Sequence, residues 1–555
     1  MNKLNRSEMI DAAVQAAGNP NLPDRIVNFF NPVAGRARQQ ARAAMAMSGG
    51  FSNAGASKSR RTLSAWQTTS NDADADLLPD LPLLRQRSRD LVRNNPLATG
   101  VLNTKCANVV GTGLWLKSSI NAKYLNITPE AAKEWQDKTE FEFRMWCEST
   151  DCDIARTLNF YAMQDVAFRS TLENGDTGVL LTFANDRRNS VYKTAVQLIE
   201  ADRICNPNWQ RDNDKIAGGI ERDLNGAPKN YHVLRAHPGS VSRTSKNVQW
   251  DTIPAFGAKT GRRNMLLLYR TLRIGQSRGM PDLAPVIEAL KQLGDYTDAE
   301  LTAAVVSGLF TVFVKTEAGD SALGSTLNSS TGHAASNADV FKMGTGAVID
   351  LAKGESIDTA NPGRPNQAFD PFVQAILRQV GVALELPFEL LVLHFTKSYS
   401  AARSSLMMAW KFFRNRRAWL ADDFCQPIYE AVMWEAVSMG RIVAPGFLQD
   451  PAIRAAYLGS EWIGDAPGQI DPLKEAQAAK LMEEMNWKTA TENTAELTGG
   501  DWDVKVQQRI REQRITREGG VAMPGSMPVV EQAAPPKKPD DEDEDEDDDD
   551  ETDDK

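Results

Sequence analysis

Cysteine and histidine are scarce in this chain. Five cysteines (Cys106, Cys147, Cys152, Cys205 and Cys425) and four histidines serve 555 residues, and no CxxC pair occurs. That usage argues against a disulfide framework or a zinc site, and free thiols in a reducing compartment are expected. Long apolar runs are also missing. The longest strongly apolar, uncharged stretch is Leu301–Val314. It is too short for a membrane span and reads as a buried helix passing into a strand at FTVFVK. The first residues, MNKLNRSEMIDAAVQAAGNPNLPDR, lack the apolar centre of a secretory signal. A soluble protein, or part of a soluble assembly with no membrane partner, is expected.

The familiar motifs of bond chemistry are missing too. The nearest approach to a phosphate loop is GFSNAGASKS, Gly50 to Ser59, but two residues separate Gly55 from Lys58 where GxxxxGK[ST] has none. HExxH and GxSxG do not occur. His232 and His237, in YHVLRAHPG, fit ordinary structural roles, although folding could bring them to Cys205 or Asp202. Asp422 and Asp423 are adjacent on a helical stretch and do not share a face. A carboxylate nuclease would need acids converging from separate elements, and no spacing selects them. No cofactor and no metal is expected.

Charge is abundant but uneven. Residues 540–555 read DDEDEDEDDDDETDDK, with fourteen carboxylates and one lysine, a formal charge of -13. The chain totals -10, so residues 1–539 carry +3. Like-charge repulsion is expected to keep the tail disordered. It is a solvated solubility tail, a device that repels DNA, or a ligand for basic surfaces of partner proteins. Residues 1–80 form a loose arm, basic through Arg36, Arg38, Arg42, Lys58, Arg60 and Arg61. Such an arm either touches phosphates or is simply solvated.

At this length several domains are expected. From Leu81 the pattern alternates helix and strand, an α+β reading. Two helices meet at Asn94-Asn95-Pro96, with Arg85, Arg89 and Arg93 on one basic stripe. Thr128-Pro129-Glu130 starts a third helix carrying Trp135, Phe141, Phe143 and Trp146. A fourth spans about 159–173 and turns at ENGDTG into the strand VLLTFAN. Strands follow over 190–255, with a hairpin turn at Asn225-Gly226. Pro281 suits an early helical turn, and Pro285 a break or restart. Residues 317–340 read as an exposed insertion, followed by the strand candidate GAVIDLA. The strongest helical signal runs from Ser404 to Gly440, with a bend near Pro427. Further helices lie at about 472–485 and 503–518.

RIGQSRGMPD, Arg273 to Asp282, holds two glycines and two arginines. It fits either a phosphate contact near a helix start or a connection tied to a subunit interface. Lys397, Arg403, Arg414, Arg416 and Arg417 add basic groups around the late helix. With Arg273 and Arg278 they are the candidate DNA-channel or interface residues.

Several segments, taken in order, resemble the portal proteins of tailed bacteriophages, specifically the lambda-like branch. They include RNNPLATGVLNTKCANVVGTGL (93–114), NFYAMQDVAFRSTLENGDTGVLL (159–181), EADRICNP (200–207) and GGIERDLNGAPKNYHV (218–233). YRTLRIGQSRGMPDLAPVIEALKQLGDYTDAEL (269–301), FDPFVQAILRQVGVALELPFELL (369–391) and SYSAARSSLMMAWKFFRNRR (398–417) follow. Trp462 with IDPLKEAQA, then TATEN with GGDWD, complete the series.

The resemblance implies a portal-type subunit with wing, long stem and tunnel helices, clip and crown. Such subunits form a homo-oligomeric ring, a dodecamer, at one capsid vertex of the virion, after assembly in the host cytoplasm. The ring conducts double-stranded DNA during packaging and ejection. It docks the terminase large subunit, contacts the major capsid or scaffolding protein, and joins neck and tail completion proteins. It performs no bond chemistry, since a separate terminase ATPase supplies the energy. Residues 81–268 would be wing-like, 269–366 stem and clip, 367–518 wing, tunnel and crown, and 519–555 linker and tail. A stem helix is expected near 281–300, a tunnel helix after 403, and clip residues within 315–350. A DNA-binding scaffold that closes no ring, or a metal-dependent nuclease, is the alternative.

Overall fold

The computed structural model describes residues 73–241, 248–308, 312–316, 355–359, 368–395, 399–468 and 471–518, with scattered positions between 27 and 72. Contacts divide the chain into Met1–Asp72 and Ala73–Lys555. The elements that follow belong to the second unit, which begins before Asp80, at helix α1 (Ala73–Leu77).

Helices α2 (Leu81–Asn94) and α3 (Pro96–Val109) meet at Asn95. The Asn95 side chain accepts hydrogen bonds from the backbone N–H of Leu97 and Ala98, and Pro96 fills the first helical position. That pairing spends two of the orphan donors at the helix start. Strand β1 (Trp115–Ser118) leads to α4 (Pro129–Glu148), capped by Thr128 as its sequence predicts. Phe143 and Trp146 of α4 are buried, whereas Phe141 is exposed. Helix α5 (Phe160–Asn174) ends at Gly175 and passes at once into β2 (Asp176–Phe183). ENGDTG is therefore half helix end and half strand, with only Gly175 as the hinge.

Strands β3 (Thr194–Glu200), β4 (Ile216–Ala217), β5 (Ile220–Arg222), β6 (Pro228–Leu234), β7 (Trp250–Pro254) and β8 (Met265–Tyr269) make two antiparallel sheets. One has the order β3-β2-β8, the other β4-β5-β6-β7. The β5–β6 hairpin turns at Gly226, whose φ of 86° explains the glycine. Ile199, Ile204, Ile220, Tyr231, Val233, Ala255 and Met265 form a small core at the sheets.

A short 3-10 turn, Ala284–Val286, precedes α6 (Ile287–Gly308). Pro285 sits in that turn and restarts the chain as a helix, while Pro281 lies outside it. At about 1.5 Å per residue, α6 is roughly 33 Å long. Leu283, Val286, Leu290 and Leu293 at its root are buried. From Asp295 to Val305 no side chain is buried, and Leu301 is 65% exposed. The start of the apolar stretch expected to form a buried helix, Leu301 to Val305, thus holds no buried side chain among the described residues. The stretch does pass into a strand: β9 (Val312–Thr316) pairs antiparallel with β10 (Glu355–Thr359). GAVIDLA and the insertion at 317–340 lie outside the described residues.

Helix α7 (Phe369–Ala383) packs beside α6, where Tyr296 meets Phe369 and Phe372 at centroid distances of 5.6 and 5.4 Å. Helix α8 (Tyr399–Leu420) continues through a π turn, Ala421–Cys425, into α9 (Gln426–Ser438). The shift in hydrogen-bond register falls just before Pro427, which has no N–H to donate. Helix α10 (Pro451–Tyr457) and strand β11 (Ser460–Ile463) return the chain to β1, with Leu116 opposite Trp462. Phe143, Phe160, Phe424, Tyr429 and Trp462 form an aromatic knot between these elements; Phe143 meets Tyr429 edge-on at 5.1 Å. Helices α11 (Pro472–Glu484), α12 (Ala490–Thr498) and α13 (Trp502–Glu518) finish the described chain. All five cysteines are free thiols. Among the described residues no helix is long and apolar enough to cross a membrane.

Candidate functional site

The loop Arg273 to Asp282 joins β8 to the root of α6, and its backbone presses against the α5–β2 junction. A Cβ on Gly279 would lie 1.8 Å from the Gly175 carbonyl oxygen, and one on Gly175 would lie 2.3 Å from the Gly279 oxygen. Two glycines are needed because two backbones touch there. The Asp282 N–H donates to the Leu172 carbonyl at 2.8 Å, and the Lys105 ammonium pairs with the Asp282 carboxylate.

Arg278 sits at the centre of this contact and is 2% exposed. Its five N–H donors are all taken. Nε and Nη2 grip the two Asp176 oxygens, each at 2.7 Å. Nη2 also reaches the Ala201 carbonyl, and Nη1 donates to the carbonyls of Ile204 and Gly218. Asp176 further accepts from Arg85 Nη2 at 2.9 Å and from the Gly279 N–H at 3.0 Å. Arg85 and Arg89 bridge to Asn174 and Asp202; Arg89 Nη1 lies 2.6 Å from Asp202. His237 closes the rim, 3.3 Å from Asp202, the approach that the sequence left open.

Burial by itself would raise the Asp176 carboxyl, but the charges of Arg278 and Arg85 and their hydrogen bonds hold it below the ordinary carboxylate value. Burial is also the largest influence on Arg85 and lowers its guanidinium to about 10. Two cations share one carboxylate, so Arg85 is the less compensated of the pair. The node thus ties α2, α5, β2, the 201–218 segment and the root of α6 to one point. Arg278 presents no free donor to a ligand, and its role is placement.

The nominated arginines therefore separate. Arg278 lies inside the subunit and offers no surface to DNA, because a buried guanidinium needs its full set of partners. Arg85 and Arg89 likewise leave the expected basic stripe, and Arg93 alone of the three is exposed. Arg273 is half exposed and pairs with Asp76 at 2.7 Å. Arg416 holds Glu385 at 2.7 Å, Arg414 approaches Glu496 at 3.7 Å, and Arg403 approaches Glu475 at 3.8 Å. Arg417 has no carboxylate partner among the described residues. It donates to the carbonyls of Asn108, Val109 and Asp465, each at 3.0 Å, and stacks on Trp410. Asn108 and Val109 end α3, so Arg417 sits at the negative pole of that helix. Burial lowers its guanidinium nonetheless. Lys397 lies outside the described residues.

Sequence reasoning missed Asp176, and it named Asp202 only as a residue the histidines could approach. Asp176 was absorbed into a turn, although a charge beside the apolar run VLLTF is a sign of pairing. Among the described residues no three His, Cys, Asp or Glu side chains converge as metal ligands. An open apolar groove of about 490 Å³ lies between α8 and α11–α12, lined by Met407, Trp410, Phe413, Ala479, Met482 and Leu497.

A family model of phage portal proteins, lambda family, matches residues 59–417, more than half of the chain. The chain belongs to the lambda family of phage portal proteins. It is 26% identical to the portal protein of Escherichia phage N15 over 487 residues, covering 83% of this chain and 89% of that protein. Against portal protein B of Escherichia phage lambda it is 26% identical over 483 residues, with the same shares. Among solved structures it matches the neck of a native GTA particle computed with C12 symmetry, at 10% identity and a TM-score of 0.39, covering 75% of this chain and 92% of that one. The neck of an empty GTA particle computed with C6 symmetry matches at 10% identity and 0.40, covering 79% and 98%. Those two likenesses are too distant to bear on how this portal protein assembles. The family match and the two relatives agree that this chain is a phage portal protein.

Proposed function

We propose that this portal protein closes into a homo-oligomeric ring, a dodecamer, around a channel for double-stranded DNA at one capsid vertex. The ring docks the terminase large subunit during packaging and neck or tail proteins afterwards, and contacts the capsid or scaffolding protein. The role is conduction and docking without bond chemistry. Residues 81–268 serve as wing, 269–366 as stem and clip with α6 in the stem, and 367–518 as wing, tunnel and crown.

One observation carries the reading. Family membership predicts neighbours, and large apolar side chains stand uncovered on the helices assigned to stem and tunnel: Leu301 and Val305 on α6, Phe372 and Val382 on α7, Met407 and Met408 on α8. A subunit that worked alone would bury such groups, each worth about 1.5–3 kcal/mol. The node around Asp176 supports the same reading, because a projecting helix transmits position only if its root is rigid.

The test is Leu301→Asp with Val305→Asp, followed by sedimentation velocity. The parent chain is expected as a large closed oligomer and the variant as folded monomer. A variant that assembles like the parent, or a parent that stays monomeric at every salt and concentration, overturns the ring and favours a scaffold that closes none.

A further inference from the structure

Helix α13 buries no side chain along its 17 residues. Its start is fixed electrostatically. Lys117 lies 2.6 Å from Asp501 and 3.3 Å from Asp503, and Lys133 also pairs with Asp503. Beyond that clamp, residues 504–518 carry a net charge of +3. Lys505 donates to the Thr498 hydroxyl. Arg509, Arg511, Arg514 and Arg517 have no carboxylate partner among the described residues, in contrast to Arg403, Arg414 and Arg416 of α8 and to the arginines of the node. Arg511, Arg514 and Arg517 step along one side at three-residue intervals. Apolar groups are few beyond the clamp and are divided between two sides, Val506 with Ile510 on one and Val504 with Ile515 on the other. A surface of this kind selects an anion, not an apolar groove.

The chain carries such an anion close by. Twenty-one residues, 519–539, separate the end of α13 from the acidic tail at 540–555. A coil of that length spans roughly 26 Å root-mean-square, and α13 itself is about 26 Å long. The tail begins within reach of the whole helix, and its charge of -13 far exceeds what four arginines need. We infer that the acidic tail folds back onto the arginines of α13 in the same chain and screens them from other polyanions. The inference does not rest on ring closure.

The test uses a fluorescent peptide of residues 540–555 and three proteins: the full chain, the chain lacking 540–555, and that shortened chain with Arg509, Arg511, Arg514 and Arg517 all changed to Gln. Gln is a good helix former, and circular dichroism checks that α13 is kept. At low salt the peptide is expected to bind the shortened chain. It should bind the full chain and the Gln variant each about 10-fold more weakly or less. Binding should vanish near 1 M salt, where the screening length is about 3 Å. No binding to the shortened chain overturns the inference. So does equal binding to the Gln variant, which would place the tail on other cations, or equal binding to the full chain, which would leave the helix unscreened.

Discussion

The arginines around Asp176 and the arginines of α13 share one chemistry and have opposite surroundings. Arg85, Arg89 and Arg278 spend their donors on carboxylates and carbonyls from four distant elements, and Arg278 has none left. Arg509, Arg511, Arg514 and Arg517 have no such partner among the described residues and are exposed. The first set is architecture and the second is a surface available to bind. The difference teaches that an arginine becomes a ligand-binding group only where the fold fails to supply it with acids. In a phage portal protein this matters, since basic residues in the sequence invite one explanation for all of them. The arginines of α8 stand between, each held by one acid or a few carbonyls.

The comparison breaks most severely at Asp176. Asp176→Ala leaves Arg278 and Arg85 buried without their shared counter-charge, and about 3–5 kcal/mol of stability should be lost in a denaturant titration. A loss below about 1 kcal/mol would mean that the node is not a load on the fold. Arg278→Met comes next, at about 2–4 kcal/mol. It strands the carbonyls of Ala201, Ile204 and Gly218 but leaves Arg85 to pair with Asp176.

Acid sharpens the same contrast. The Asp176 carboxyl is held below its ordinary value of 3.8 in the fold. Its contribution is complete above 3.8, where the unfolded chain is ionised as well. It shrinks as pH drops below 3.8 and is gone once pH passes through the lower folded value. Stability measured from pH 5 downward should fall more steeply in the parent than in Asp176→Asn, which has no such proton to take up. Equal slopes would contradict the placement of that charge.

On α8 the effects should be smaller. Arg417→Gln loses three carbonyl contacts and the stacking on Trp410, for about 1–2 kcal/mol. Arg414→Gln should cost less than about 1 kcal/mol, because its pair with Glu496 is long and exposed. At the far end, the four α13 substitutions to Gln should change stability by less than about 0.5 kcal/mol, while removing peptide binding. A large stability loss there would erase the distinction between the two sets.

Local signals in the sequence were readable because they act over a few residues. Asn95-Pro96 and Thr128-Pro129 marked helix starts by capping chemistry, Asn225-Gly226 marked a hairpin, and Pro427 marked a disturbance in the late helix. Each needs only backbone geometry that its own residues dictate. The node was not legible, since Asp176 finds Arg278 across about a hundred residues and no local rule selects that partner. The same limit assigned Arg278 to a surface and joined Arg85, Arg89 and Arg93 into one stripe. Spacing shows which residues share a face, but not which face is covered. The stretch at Leu301 failed for a related reason: its apolar character is real, but spacing does not show what covers it, and none of the described residues does. The family was legible from many weak segments in fixed order, and lambda-family membership agrees with that reading.

Symmetry-resolved imaging of the purified full chain tests the central claim most directly. The account predicts a closed ring with a central channel, in which a neighbouring subunit covers Leu301 and Val305 while Arg278 stays paired with Asp176 inside each subunit. A population of separate subunits at every salt and concentration, or a ring in which Arg278 faces the channel, would contradict it.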